Sequence, residues 1–120
     1  MNTAGRILVG LLAVEHGYIL IVEMFLWDTA FGRKRFGLTP EFSRATRSLA
    51  ANQGLYNGFL AAGLIWSLLI TDPVWARHLM LYCTVCILIA GLYGGATAMR
   101  SILVVQAAPA AITLAVLLGS

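Results

Sequence analysis

A chain of 120 residues that is 60% hydrophobic and 11% charged, with mean hydropathy +0.86, is too apolar for a soluble domain of its size. The length suits one compact bundle of a few helices with no second domain, so residues 1–120 read as a single all-α membrane domain. The formal charge of +3 is local, because five of the eight basic residues fall between Arg33 and Arg47; that excludes the extended basic face of a nucleic-acid binder and suits a membrane surface.

The first apolar stretch, 7–27, is interrupted by Glu15 and His16 and then runs on to Trp27. That is spanning length rather than signal length, so it reads as a retained transmembrane helix. His16 and Glu23 lie seven residues apart, about two helical turns, and so project from nearly one face, on a stripe with Leu12, Leu20 and Trp27. An isolated carboxylate at the centre of a membrane helix costs roughly 2.5–3.5 kcal/mol on insertion scales. Groups that costly face a protein interior or a wet cavity, which makes Glu23 and His16 the candidate ionisable centre. Glu15, turned about 100° from His16, is a secondary candidate nearer one surface.

The connection 28–48 is long and basic, holding Arg33, Lys34, Arg35, Arg44 and Arg47. These suit anionic lipid head groups. Within it Thr39-Pro40-Glu41 is a helix start: a hydroxyl cap, proline at the first helical position and an acid at the positive end of the dipole. The second helix is therefore expected to begin near Pro40 and to run on into the second span, 49–70, with Arg44 and Arg47 sharing a face.

Span two opens with Asn52, Gln53, Tyr56 and Asn57 on a wedge a little over a third of the circumference. Amides donate and accept at once, so they suit the positioning of a ligand. The bland alternative is that they only hold helices in register. Gly54 and Gly58 on this span, and Gly91 and Gly95 on the third, form ridges that let backbones approach. Packing within the fold is the first reading of both ridges and a homo-oligomer interface the second.

A short connection, 71–77, carries Pro73 and leads to span three, 78–99, where His78 and the tryptophans read as interfacial residues. Cys83 and Cys86 form C-x-x-C, but inside an apolar helix thiols act as small hydrophobes. No metal site is expected and no cofactor is specified. The fourth span, 102–118, contributes Gln106 to the polar set and contains Pro109, which predicts a kink or a near-perpendicular path.

Arg100 joins the five basic residues of the first connection on one side, against Arg6 and Arg77 on the other. The positive-inside tendency places both termini outside the cytoplasm. The expected architecture is thus a polytopic all-α protein with four transmembrane helices in one bundle. Its polar site would comprise Glu23 and His16 with Asn52, Gln53, Tyr56, Asn57, Gln106 and Glu15. Three functions fit: a site binding or acting on a small amphiphile, a small proton-coupled transporter or exporter working as a homo-oligomer, or a structural, partner-binding subunit.

The segments EMFLW (23–27), FGLTPEF (36–42), LAANQGLYNGFLAAGL (49–64), GLYGG (91–95) and SILVVQAAPA (101–110) resemble the small bacterial integral membrane proteins known as domain of unknown function 1304. The resemblance spans nearly the whole chain and implies a multi-pass protein of the bacterial inner membrane without an established activity. Some relatives carry an epimerase label, for which this chain has no nucleotide-binding glycine motif. The layout also resembles the membrane-associated glutathione and eicosanoid enzymes, with their Arg/Asn/Glu signature on the second helix. Arg44, Arg47, Asn52 and Asn57 occupy that region here without that spacing, and no acid follows Asn52. Architecture alone does not carry function.

Overall fold

The computed structural model describes residues 2–120, and every regular element in them is helical. In chain order these are α1 (Thr3–Ile21), a π-helical turn (Val22–Leu26), α2 (Ala30–Phe36), α3 (Pro40–Ala45), α4 (Arg47–Leu69), α5 (Pro73–Thr97), a second π-helical turn (Leu103–Ala107) and α6 (Ala108–Leu118). Two apolar stretches, Thr3–Leu26 and Pro73–Thr97, are long and apolar enough to cross a membrane; Leu103–Leu118 is apolar but shorter. Helix α4 has the length, but its opening amides dilute its apolar character.

Three boundaries differ from the sequence reading. Helix α5 starts at Pro73 rather than at His78, because the Asp72 carboxylate accepts the Val74 N–H at 2.9 Å and proline stands at the first helical position. The helix starting at Pro40 does not continue into the second long helix. Thr39 caps it as expected, accepting from Phe42 N at 3.1 Å, but it stops at Ala45. There Thr46 Oγ1 donates back to the Phe42 carbonyl at 2.7 Å, a local bond that competes with the helical ladder. Arg44 and Arg47 thus belong to different helices. Finally, the basic connection contains a helix of its own, α2, with Thr29 at its N-cap and Gly37 at its C-cap in the left-handed region at φ 66°.

The chain divides into two compact units, Val14–Ala61 and Ala62–Ser120 with the chain up to Ala13. In the first, the turn after the π-helix is tied down by side chains. Trp27 Nε1 donates to Thr46 Oγ1 at 3.0 Å, and the buried Ser43 hydroxyl donates to Asp28 Oδ1 at 2.6 Å. Arg33 Nη1 donates to the same oxygen at 3.2 Å. Gly32 fits only because it lacks a side chain, since a Cβ there would lie 2.6 Å from the Trp27 carbonyl oxygen.

The Ser43 hydrogen bond, with the charges of Arg33 and Arg44, holds the Asp28 carboxyl below its ordinary 3.8. A depressed carboxyl stabilises the fold above its unfolded value, and that contribution is lost as pH falls through the folded one. The melting temperature of the parent is therefore expected to drop below about pH 4. Asp28→Asn should melt lower at neutral pH and lose part of that acid step. Melts with superimposable acid dependence in the two proteins would contradict the assignment.

In the second unit, two arginines close helix ends. Arg6 Nη2 donates to the Leu68 carbonyl at 3.0 Å, at the end of α4, and Arg77 Nη1 to the Leu117 carbonyl at 2.6 Å, at the end of α6. Each places a cation against the negative end of a helix dipole. Leu64, Met80, Ile87 and Leu117 are fully buried in this unit. Along α5, Gly91 and Gly95 meet the second π-turn: a Cβ on Gly91 would sit 2.8 Å from Ala107 N, and one on Gly95 would strike the Leu103 side chain.

Much large apolar surface stays open. Val14, Phe25, Leu69 and Val104 are each about 70% exposed, and most of both long apolar stretches is uncovered. The core helix of a soluble domain is mostly buried; these are not.

Candidate functional site

The first unit gathers its polar groups where the end of α1 meets the opening half of α4. Gly54 and Gly58 lie one turn apart on α4. A Cβ on Gly54 would lie 2.7 Å from Met24 Cγ and 3.0 Å from Glu23 Cβ, and one on Gly58 would strike the Leu20 side chain. The missing side chains allow close approach. Asn57, on the same face between the two glycines, then reaches across: its Nδ2 donates to Glu23 Oε1 at 2.6 Å and to the Gln53 carbonyl at 3.1 Å.

Glu23 lies in the π-turn Val22–Leu26. π-turns insert an extra residue into the helix and frequently mark functional sites. The segment VEMFL contains no proline or glycine to force such a turn. The tight contact with Gly54 and the Asn57 bond hold the Glu23 side chain from outside the helix.

The rest of the amide wedge turns away. Asn52, Gln53 and Tyr56 are exposed, and the Tyr56 ring packs edge-on against Phe59 at 6.1 Å. At about 100° per residue, Tyr56 is a quarter-turn and more from Asn57, and Asn52 about 140° away. The glycine face of α4 lies on the other side of Asn57, so only the wedge's edge meets Glu23. Gln53 takes part through its main-chain carbonyl alone.

His16 is fully buried, with the Glu15 carboxylate 3.9 Å from its Nδ1. The stretch Thr3–Leu26 puts Glu15 and His16 at its middle and Glu23 in its last turn. The frame 7–27 centres on residue 17 and this stretch between Val14 and Glu15, a shift of less than one turn. Glu15 is therefore the mid-helix acid, and its Oε1 is buried without a hydrogen bond among the described residues. The inward stripe does hold Leu12 and His16 in the interior, with Leu20 against Gly58.

Gln106 belongs to the second unit, where its Nε2 donates to the Ile87 carbonyl at 3.3 Å. It too sits in a π-turn, whose Ala108 N–H bonds the Leu103 carbonyl five residues back. Here the sequence supplies a cause: Pro109 has no N–H to return to Val105, so the ladder shifts register just before it. Cys83 is buried, with its Sγ 2.8 Å from where a Cβ on Gly63 would lie, and Cys86 is half-buried; both are free thiols. Among the described residues no three His, Cys, Asp or Glu side chains cluster as metal ligands.

The basic residues are mostly open to solvent. Lys34, Arg35, Arg44 and Arg47 are exposed, Arg35 lies 5.7 Å above the Phe36 ring, and Arg33 is bound to Asp28. Sequence reasoning missed the Trp27–Thr46 and Ser43–Asp28 bonds. Spacing gives no signal for them, because each joins residues fifteen or more positions apart across the turn.

The family described as "Protein of unknown function (DUF1304)" matches residues 10–118. The chain is also similar to the uncharacterized protein YpaA of Lactococcus lactis subsp. lactis (strain IL1403), 30% identical over 100 residues that cover 80% of this chain and 81% of that protein. No solved structure matches the chain. With nearly its whole length matched, from the first long helix to the end of α6, the chain belongs to the DUF1304 family.

Proposed function

We propose that this protein is a four-span protein of the bacterial inner membrane that binds or acts on a small amphiphilic molecule beside Glu23, with both termini outside the cytoplasm. The observation that carries the reading is the Glu23–Asn57 pair: a carboxylate in a π-turn of an apolar helix, held at 2.6 Å by an amide from α4. A fixed, oriented acid at the end of a span is suited to receiving a polar head while the tail remains among apolar side chains. The exposed Lys34, Arg35, Arg44 and Arg47 would rest against anionic lipid head groups on the cytoplasmic side. Helix α4 and the stretch Leu103–Leu118 complete the four spans, their polar and short character offset by neighbours within the bilayer.

The proposal is tested by purifying the full chain in mild detergent and identifying co-purifying small molecules by mass spectrometry. The parent is expected to retain an amphiphile that Glu23→Leu loses while keeping its helical circular dichroism. If Glu23→Leu is as stable as the parent and neither protein carries a bound molecule, the structural-subunit reading replaces this one.

Proton-coupled transport is the second reading, favoured by the mid-helix pair Glu15 and His16. Ionisable groups at that depth mark proton relays in membrane carriers.

A further inference from the structure

A second concave surface lies away from the polar pair, where α4 ends and α5 begins. It is a groove of about 600 Å³, within the range of small-molecule sites. Trp66 and Ile70 line it from one side and Trp75, His78 and Tyr82 from the other, with Asp72 at the turn between them. On α5 the three rings recur at spacings of three and four residues, so they form one stripe. The Trp75 and His78 rings meet edge-on at 5.3 Å, which fixes the tryptophan plane at the groove wall. Trp66, Trp75 and Tyr82 are each more than 60% exposed, so their faces are available to a ligand.

The electrostatics of this groove favour a cation. Aromatic faces carry negative quadrupole potential, and Asp72 supplies a carboxylate. At the neighbouring end of α4 the Leu68 carbonyl is already taken by Arg6 Nη2 at 3.0 Å, so the negative potential of the groove rests on the ring faces and Asp72. Capping of α5 engages Asp72 through Oδ1, by way of the Val74 and Trp75 N–H groups, and so holds the carboxylate at the groove. The nearest guanidinium on α5, that of Arg77, lies on the opposite face with its Nη1 on the Leu117 carbonyl.

From these placements we propose that the groove binds a lipophilic organic cation of the quaternary ammonium or phosphonium class. The charge sits between the tryptophan faces and Asp72, and the apolar arms lie along Trp66 and Ile70. The site is independent of Glu23.

The test uses the full-length protein in an uncharged maltoside detergent, with tetraphenylphosphonium as probe and triphenylphosphine oxide as its neutral counterpart, measured by equilibrium dialysis. Asn also caps helices, so Asp72→Asn removes the charge and keeps the α5 start. Trp75→Leu removes the aromatic face but not the apolar bulk. Each is expected to weaken tetraphenylphosphonium binding about fivefold, with the helical signal unchanged. Asp72→Asn should leave binding of the neutral compound as it was. The proposal is overturned if the parent binds the cation no better than the oxide, or if both variants bind like the parent. It is equally overturned if Glu23→Gln alone abolishes binding, which would put the cation at the other site.

Discussion

Gly91→Val is expected to be the most damaging single substitution in the second unit. A Cβ on Gly91 would lie 2.8 Å from Ala107 N, 2.9 Å from Ala107 Cα and 3.1 Å from Ala107 Cβ. Two of these atoms are backbone, in a π-turn already bound by the Ala108–Leu103 hydrogen bond, so no side chain can swing aside. Overpacking of a tight core costs roughly 1–3 kcal/mol, and a branched residue against backbone should exceed about 3. Alanine should cost less, because its helix propensity recovers about 1 kcal/mol relative to glycine. The measurement is the loss of helical signal on titrating the purified protein with a denaturing detergent. Gly17 is the control: a Cβ there meets nothing within 4 Å, so Gly17→Ala should be neutral or slightly stabilising. Equal midpoints for Gly91→Val and the parent would show that α5 and the π-turn do not pack as described. Displacing Ala107 would also move the adjacent Gln106 off the Ile87 carbonyl.

The same glycines show what the sequence could and could not disclose. Small-residue ridges were legible as close-contact positions, and their partners are now Ala107 and Leu103 for Gly91 and Gly95, and Glu23, Met24 and Leu20 for Gly54 and Gly58. Helix starts followed local chemistry, which a sequence records directly. Thr39-Pro40 reads as a cap and is one, while the same grammar in Asp72-Pro73 falls inside a segment read only as a short connection. Thr29 and Gly37 bracket α2 with equally legible signals, hidden by the charge of the segment between them.

The candidate site was less legible, because it depends on rotation about a helix axis. Asn52, Gln53, Tyr56 and Asn57 share a wedge, and nothing in their spacing says which edge of it faces α1. Gly54 and Gly58 decide that, since backbones approach along the glycine face and carry Asn57 with them. The depth of the ionisable residues depended likewise on where the helix starts. Beginning at Thr3 rather than near Ile7 brings the midpoint from residue 17 to between Val14 and Glu15, and Glu23 stays within the last turns in either frame. The π-turn at Val22–Leu26 has no proline or glycine to announce it, and Glu23 within it meets Gly54 and Asn57 in close contact.

That contact gives the second large expectation, which concerns Glu23 and Asn57 as a pair. Asn57→Leu should cost more than Glu23→Gln, because it leaves a carboxylate without its amide, whereas glutamine keeps an oxygen where Asn57 can donate. A hydrogen bond is worth roughly 0.5–1.5 kcal/mol net, and pairs measured within membranes average about 0.6. A double-mutant cycle with Glu23→Leu should therefore give a coupling of about 1 kcal/mol, and a value near zero would remove the pair as an organising contact. Function separates the readings where stability does not. In proteoliposomes under a proton gradient, a carrier that exchanges its proton at Glu23 should lose all coupled flux in Glu23→Gln while the fold is kept. A site that uses Glu23 to hold an amphiphile should instead lose its bound molecule in the same variant. Should the mid-helix pair carry the proton, Glu15→Gln or His16→Ala would abolish flux and Glu23→Gln would spare it. The polar pair at the helix end would then position the ligand, and the middle of α1 would be the coupling element.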